Sequence, residues 1–176
     1  MKHLRKPFLI LVIGIFIILV REYEWNQIIN TPPEITGNAE LIRIVDGDTL
    51  IVRLNGIDER VRIIGIDTPE SVKPNSPVEC FASETSDHMK QLLNNINSVR
   101  VETDPTQDTR DRYGRLLAHI FVGNVNIGNQ MVYDGYAYEY TYREPYLYQR
   151  EYRKAQRAAR SAKNGLWAEE TCSGKR

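Results

Sequence analysis

A chain of 176 residues has room for one domain with a real core plus short appendages. Basic and acidic side chains balance at 23 each, but residues 1–21 carry Lys2, Arg5, Lys6 and Arg21 and no acid, so residues 22–176 hold 19 basic against 23 acidic groups, a net charge of −4. A domain that held nucleic acid by bulk charge would be basic, so phosphate recognition here has to be local.

The chain opens on a cationic start and then PFLILVIGIFIILV at 7–20, fourteen uncharged and almost wholly apolar residues followed by Arg21-Glu22. That is the layout of a secretory signal. It is short for a membrane span, which needs about 20 residues. No small-x-small cleavage site follows, so residues 1–25 read as a signal peptide or as an uncleaved anchor that touches the membrane through 7–20. Either way the cationic start stays inside and the remainder lies outside the cytoplasm, secreted or on the outer face. Residues 26–38, NQIINTPPEITGN, are polar and Pro-containing and read as a tether. The expected division is therefore 1–25 targeting segment, 26–38 linker, 39–170 domain and 171–176 tail.

Residues 40–70 read as three short strands, Leu41–Val45, Thr49–Leu54 and Arg60–Ile66, punctuated by Asp46-Gly47-Asp48, Asn55-Gly56 and Asp67-Thr68-Pro69. A Pro-rich loop at 71–79 leads to a helix over 83–96, where Met89, Leu92, Leu93 and Ile96 recur at helical spacing. Ser98–Glu102 and Arg115–Val122 read as two more strands around a polar loop, and 125–134 as a short helix. From Pro145 to Gly165 the chain is rich in helix formers, with Pro at the start and Gly at the end. Three strands, a helix, two strands and then helices predict an α+β fold, mainly β: a five-stranded Greek-key barrel of the OB type with about three helices packed on it.

The polar residues at the strand ends carry the chemistry. Asp46, Asp48 and Asp67 are short carboxylates at strand boundaries, Arg62 lies inside an otherwise apolar strand, and Glu70 follows a rigid Thr-Pro. If the strands curl together, acids and a guanidinium converge on one rim, as needed to hold a hard metal and a phosphate side by side. Each element alone has a plainer reading: Asp46-Gly47-Asp48 as a hairpin turn, DTPE as a capped turn, Arg62 and Arg115 as surface arginines. Asp48 and Asp67 at successive strand ends reverse that balance. His3, His88 and His119 are scattered and no Cys/His group has metal-ligand spacing, which argues against zinc.

VDGDT at 45–49, R-x-x-x-x-DTPE at 62–70 and DRYGR at 111–115 resemble, in order, the three signature segments of the staphylococcal nuclease (thermonuclease) family. The resemblance runs from about residue 40 to 168. It implies an exported calcium-dependent phosphodiesterase that cuts DNA and RNA and leaves 3′-phosphorylated ends. It also implies calcium held by Asp48, Asp67 and the carbonyl of Thr68, with Arg62, Glu70 and Arg115 as the catalytic set. Independently, two arginines beside a carboxylate-bound cation make a bidentate phosphate clamp, and Glu70 is placed to act as general base or to position the water. The rival class is a catalytically silent OB module that only binds nucleic acid or a protein; it predicts lost catalytic residues, and all six positions hold the expected types.

Eight of the ten tyrosines fall between 133 and 152. Their alternation at 136, 138, 140 and 142 fits a strand whose rings pack a core, or a wall on which bases stack. The family places tyrosines near here against the nucleotide, which makes Tyr113, Tyr140 and Tyr142 the substrate-binding candidates. Cys80 and Cys172 are the only cysteines, read either as two buried thiols or as a disulfide tying the first helix to the tail. The chain is expected to act as a monomer.

Overall fold

The computed structural model describes residues 35–70 and 79–175, together with Ile13, Phe16, Ile17 and residues 19–21, which are helical. Most of the targeting segment and tether, and residues 71–78 of the Pro-rich loop, lie outside the described residues. Among those described, no helix is long and apolar enough to cross a membrane. Contacts separate the chain at residues 33 and 34, and the description below concerns the second unit.

Six strands make the main sheet: β1 (Thr36–Ile44), β2 (Thr49–Leu54), β3 (Ile57–Ile63), β5 (Ser98–Glu102), β6 (Leu116–Val122) and the two-residue β7 (Val125–Asn126). Their order is β3-β2-β1-β5-β6-β7, and a parallel pairing of β3 with β6 closes the first five into a barrel. Three helices pack on it, α1 (Ala82–Leu92), α2 (Ile127–Tyr133) and α3 (Gln149–Ala162). A second, two-stranded sheet pairs β4 (Ile66–Asp67) with β8 (Tyr138–Glu139). This is the expected five-stranded OB-type barrel with three helices.

Alternation explains the strands. In β2, Leu50, Val52 and Leu54 are buried while Arg53 between them is exposed. With Val61, Ile63, Val99, Val101, Leu116, Ala118 and Ile120 they fill the barrel, and Ile127, Met131 and Val132 of α2 and Met89 of α1 join the same core. Asn55 (φ 52°) and Gly56 (φ 80°) both take the left-handed region, so a two-residue primed turn links β2 to β3. The turn leaves no slack, and β3 therefore starts at Ile57 rather than Arg60 and ends at Ile63.

Three further boundaries differ from the sequence reading. Residues 36–38, assigned to the tether, are the first residues of β1 and pair with Arg100–Glu102 of β5. The tail beyond 170 is not an appendage: Cys172 is buried with Tyr138, Ala159, Leu166 and Trp167, and is bonded to Cys80 with an S–S distance of 2.08 Å. Gly165 is not the end of the last long helix, which stops two residues earlier on Lys163 in the left-handed region (φ 54°).

The turn at 46–48 is fixed from both sides. The Asp48 amide donates to Asp46 Oδ1 (3.0 Å), and the Val45 amide to the Thr49 carbonyl (2.9 Å). A Cβ on Gly47 would lie 2.4 Å from Thr85 Cγ2 and 3.1 Å from Thr68. Only glycine lets the turn that carries Asp48 seat itself against the end of β4 and against α1.

Candidate active site

β2 and β3 bring the first group together. Thr49 at the start of β2 is opposite Arg62 on β3, and Arg62 is opposite Leu117 on β6 across the barrel closure. Arg115 directly precedes β6. The carbonyl of Asp48 accepts the Ile63 amide (2.9 Å), fixing the Asp48 backbone to the end of β3. β4 follows at once and ends on Asp67, with Thr68 next in the chain. Closing the barrel thus collects residues spread from 48 to 115 at one rim.

The contacts at that rim are dense. Asp48, 7% exposed, accepts from the hydroxyls of Thr49 (Oδ1, 2.9 Å) and Thr68 (Oδ2, 2.9 Å). Arg62 Nη2 lies 3.1 Å from Asp48 Oδ2 and 3.5 Å from Asp67 Oδ1, while its Nη1 donates to the Ile63 carbonyl (2.8 Å). One guanidinium therefore bridges the two carboxylates expected to hold a metal. Among the described residues no three His, Cys, Asp or Glu side chains group as a metal site. What is present is a pair of carboxylates beside the Thr68 segment, oxygen donors whose chemistry fits a hard calcium-like cation better than a soft metal.

Glu70 stands beyond Pro69. Its amide donates to Glu79 Oε2 (3.1 Å), and its carbonyl accepts the Glu79 amide (3.2 Å). Partial burial raises the Glu70 carboxyl above its ordinary range, and Asp48, Asp46, Glu79 and Asp67 add to the rise. Burial and then Asp48 likewise raise Asp46. The rim is thus a concentration of negative charge that Arg62 only partly offsets.

Arg115 is held from behind. Its Nε donates to Asp111 Oδ2 (2.7 Å) and its amide to Asp111 Oδ1 (2.9 Å), and Nη1 reaches the Thr49 hydroxyl at 3.4 Å. Asp111 Oδ1 also accepts the Tyr113 amide (2.9 Å). Burial alone would raise the Asp111 carboxyl, but the donors from Arg115 and Tyr113 hold it below its usual value. Thr49 is opposite Arg62 in register and bonded to Arg115.

Of the tyrosine candidates, Tyr113 is 68% exposed, with the guanidinium of Arg112 at 4.7 Å and that of Arg115 at 5.6 Å from its ring centre. Tyr140 (38%) and Tyr142 (66%) are also exposed, their rings 6.4 Å apart. The 136–142 run is not one strand: only Tyr138–Glu139 pairs, opposite Asp67 and Ile66. Tyr138 is buried and serves the core, whereas Tyr140 and Tyr142 lie past the pairing with their rings exposed. The Tyr140 amide donates to the Gly65 carbonyl (3.0 Å), which ties that segment to the start of β4.

Sequence reasoning missed Asp111, Glu79 and Thr49. Asp111 left a faint trace, an acid four residues before an arginine across a Gly turn. Glu79 left none, because nothing local in the sequence marks its contact with Glu70, nine residues away.

Residues 60–169 match the family described as staphylococcal nuclease homologue. The match takes in Arg62, DTPE and DRYGR and begins after VDGDT. A thermonuclease of Staphylococcus hyicus is 40% identical over 129 residues, 73% of this chain and 75% of that protein. A thermonuclease of Staphylococcus intermedius is 33% identical over 169 residues, 95% of this chain and 99% of that one. The SPbeta prophage-derived endonuclease YokF of Bacillus subtilis (strain 168) is 37% identical over 132 residues, 74% of this chain and 44% of its own length.

Proposed function

The chain belongs to the staphylococcal nuclease family and is a nuclease of the hydrolase class, and we propose that it is a calcium-dependent endonuclease that hydrolyses DNA and RNA outside the cytoplasm to 3′-phosphorylated products. The observation that carries this reading is the rim itself. Two carboxylates bridged by Arg62, Arg115 bonded to the Thr49 opposite Arg62, and a glutamate of raised basicity lie at one end of a barrel.

Asp48, Asp67 and the Thr68 carbonyl would hold the cation, which when bound neutralises charge on the scissile phosphate. Arg62 and Arg115 present planar forks to the phosphate oxygens, a geometry lysine cannot copy. Glu70 takes the proton of the attacking water; a carboxylate raised above its ordinary value is a better base than a solvated one. Tyr113, Tyr140 and Tyr142 offer exposed rings to bases, a contact tolerant of sequence. The substrate is polynucleotide, the protein acts as a monomer, and residues 1–25 direct it out of the cell or anchor it there. A Cys80–Cys172 bond supports export, since disulfides persist in oxidising compartments.

The purified protein, incubated with single- and double-stranded DNA and RNA, should cut all four with calcium and none with chelator. Affinity for calcium should be weak, about 10⁻⁴–10⁻³ M, and magnesium a poor substitute. Glu70→Gln should lower kcat by about 10²–10⁴-fold and leave substrate affinity near the parent's. Parent-rate cleavage by that variant, or the same products in chelator, would overturn the reading.

A further inference from the structure

Helix α3 carries Arg150, Arg153, Lys154, Arg157 and Arg160 against a single acid, Glu151. The rest of residues 22–176 holds 14 basic and 22 acidic side chains, a net of −8. Positive charge in this acidic domain is therefore concentrated on one helix. At about 100° per residue the five cations fall within an arc of about 120°. That arc is opposite the face that buries Tyr152, Ala155 and Ala159. All five are exposed. Lys154 and Arg157 have no acidic partner among the described residues. Arg153 lies 3.7 Å from Glu139, and Arg160 covers the ring of Trp167 at 4.3 Å.

The stripe is fastened to the segment next to the rim. Gln156 Oε1 accepts the Glu139 amide (2.9 Å), and Gln149 Nε2 donates to the Thr141 hydroxyl (2.7 Å). Glu139 and Tyr138 pair with Ile66 and Asp67, and Tyr140 and Tyr142 follow directly. From Arg150 to Arg160 the helix rises about 15 Å, the length of about four phosphates at ~3.4 Å each.

We propose that the outer face of α3 is a second, sequence-independent binding surface for the phosphate backbone of long nucleic-acid substrates, continuous with the rim past Tyr140 and Tyr142. The proposal rests on the nuclease reading above for its substrate. It explains how a domain of net negative charge retains a polyanion while one bond is cut. An anionic lipid surface fits less well. Helices that lie on membranes insert an apolar face, and the apolar face of α3 is spent inside the domain.

The test combines Arg150→Gln, Lys154→Gln and Arg157→Gln, which leaves Arg153 on Glu139 and Arg160 on Trp167. Binding of a fluorescent 20-nucleotide DNA by the full-length protein is followed by anisotropy in chelator across a salt series. The triple variant should bind about tenfold more weakly at low salt, and its log–log salt slope should be shallower by about 2, from three lost contacts at ~0.7 each on a single strand. With calcium, KM for a long polymer should rise while kcat for it and cleavage of a dinucleotide stay at the parent's values. Arg150→Lys with Arg157→Lys, which keeps the charge, should bind as the parent does. Equal affinity and slope in parent and triple variant would overturn the proposal. So would loss of phosphatidylserine-vesicle binding in the variant with DNA binding unchanged, which would assign the face to membrane. A parent that binds DNA but cuts nothing would refute the catalytic reading alone, and the salt slope would still judge the helix.

Discussion

Arg115, one arm of the proposed phosphate clamp, is held by a residue outside that clamp. Asp111 fixes its Nε and its backbone amide, and Thr49 takes Nη1, so the guanidinium points one way before any phosphate arrives. Preorganisation of this kind matters most where charge develops, in the transition state. Asp111→Asn keeps the Oδ1 acceptor that shapes the 111–115 turn but removes the charge that holds Nε. We expect kcat to fall about tenfold with KM nearly unchanged. Stability should drop by less than about 1 kcal/mol, because the pair is partly solvated. Steady-state kinetics and urea unfolding of the two proteins decide it: a change confined to KM, or no change in rate, would show that Arg115 orients itself without Asp111.

At the scale of elements, a buried polar network fastens the tyrosine-rich segment to the barrel. Asp104, just past β5, accepts the Leu147 amide (2.7 Å), the Thr106 amide (2.9 Å) and hydroxyl (2.7 Å), and His119 Nε2 of β6 (3.3 Å). Burial alone would raise this carboxyl, but the donors, His119 foremost, hold it down to about 2 from 3.8. A depressed pKa stabilises the fold above pH 3.8, and that contribution is lost as pH falls through 2. The shift corresponds to about 2 kcal/mol. Asp104→Asn should therefore cost at least about 2 kcal/mol at neutral pH, with the gap to the parent narrowing between about pH 4 and 2. Unfolding free energies that differ by a constant amount across that range would contradict the assignment. The same network marks where sequence reading stops. β2 and β5 were legible to the residue, because alternation bounded by turn residues is a local signal. DGD and DTPE stood out as candidate site segments only in combination, and DRYGR only through the family resemblance, because each alone is ordinary turn chemistry. Thr36–Asn38 were not, since their strand character comes from β5, some sixty residues away, and TGN alone is turn chemistry. Nor could the fate of the tyrosines be read: Tyr138 is buried by pairing with Asp67 while Tyr140 escapes it, a distinction set by where β8 ends.

For the whole molecule the disulfide sets how the second core is held. Cys80 and Cys172 are 92 residues apart. In the chain-entropy picture, closing a loop of that size stabilises the fold by about 4–5 kcal/mol. The bond closes over a small apolar group of Tyr138, Ala159, Leu166 and Trp167, with Phe81 against it, separate from the barrel core. The last residues add hydrogen bonds that the bond protects: Gly174 amide to Leu166 carbonyl (2.7 Å) and Tyr138 hydroxyl to Lys175 carbonyl (3.0 Å). Cys80 also adjoins Glu79, which receives the Glu70 amide. Reduction should thus act in two places of unequal weight. The barrel keeps its own core, so the reduced protein should stay folded at 25 °C and keep most of its activity. Its melting temperature should fall by about 10 °C, at roughly 2–4 °C per kcal/mol for a domain of this size. Cys172→Ser should melt at the lower temperature with or without dithiothreitol, whereas the parent should move only when reductant is added. A parent melting curve that ignores reductant would mean the bond contributes nothing to global stability. A reduced parent that melts unchanged but loses cleavage would assign the bond to Glu70 instead, through Glu79.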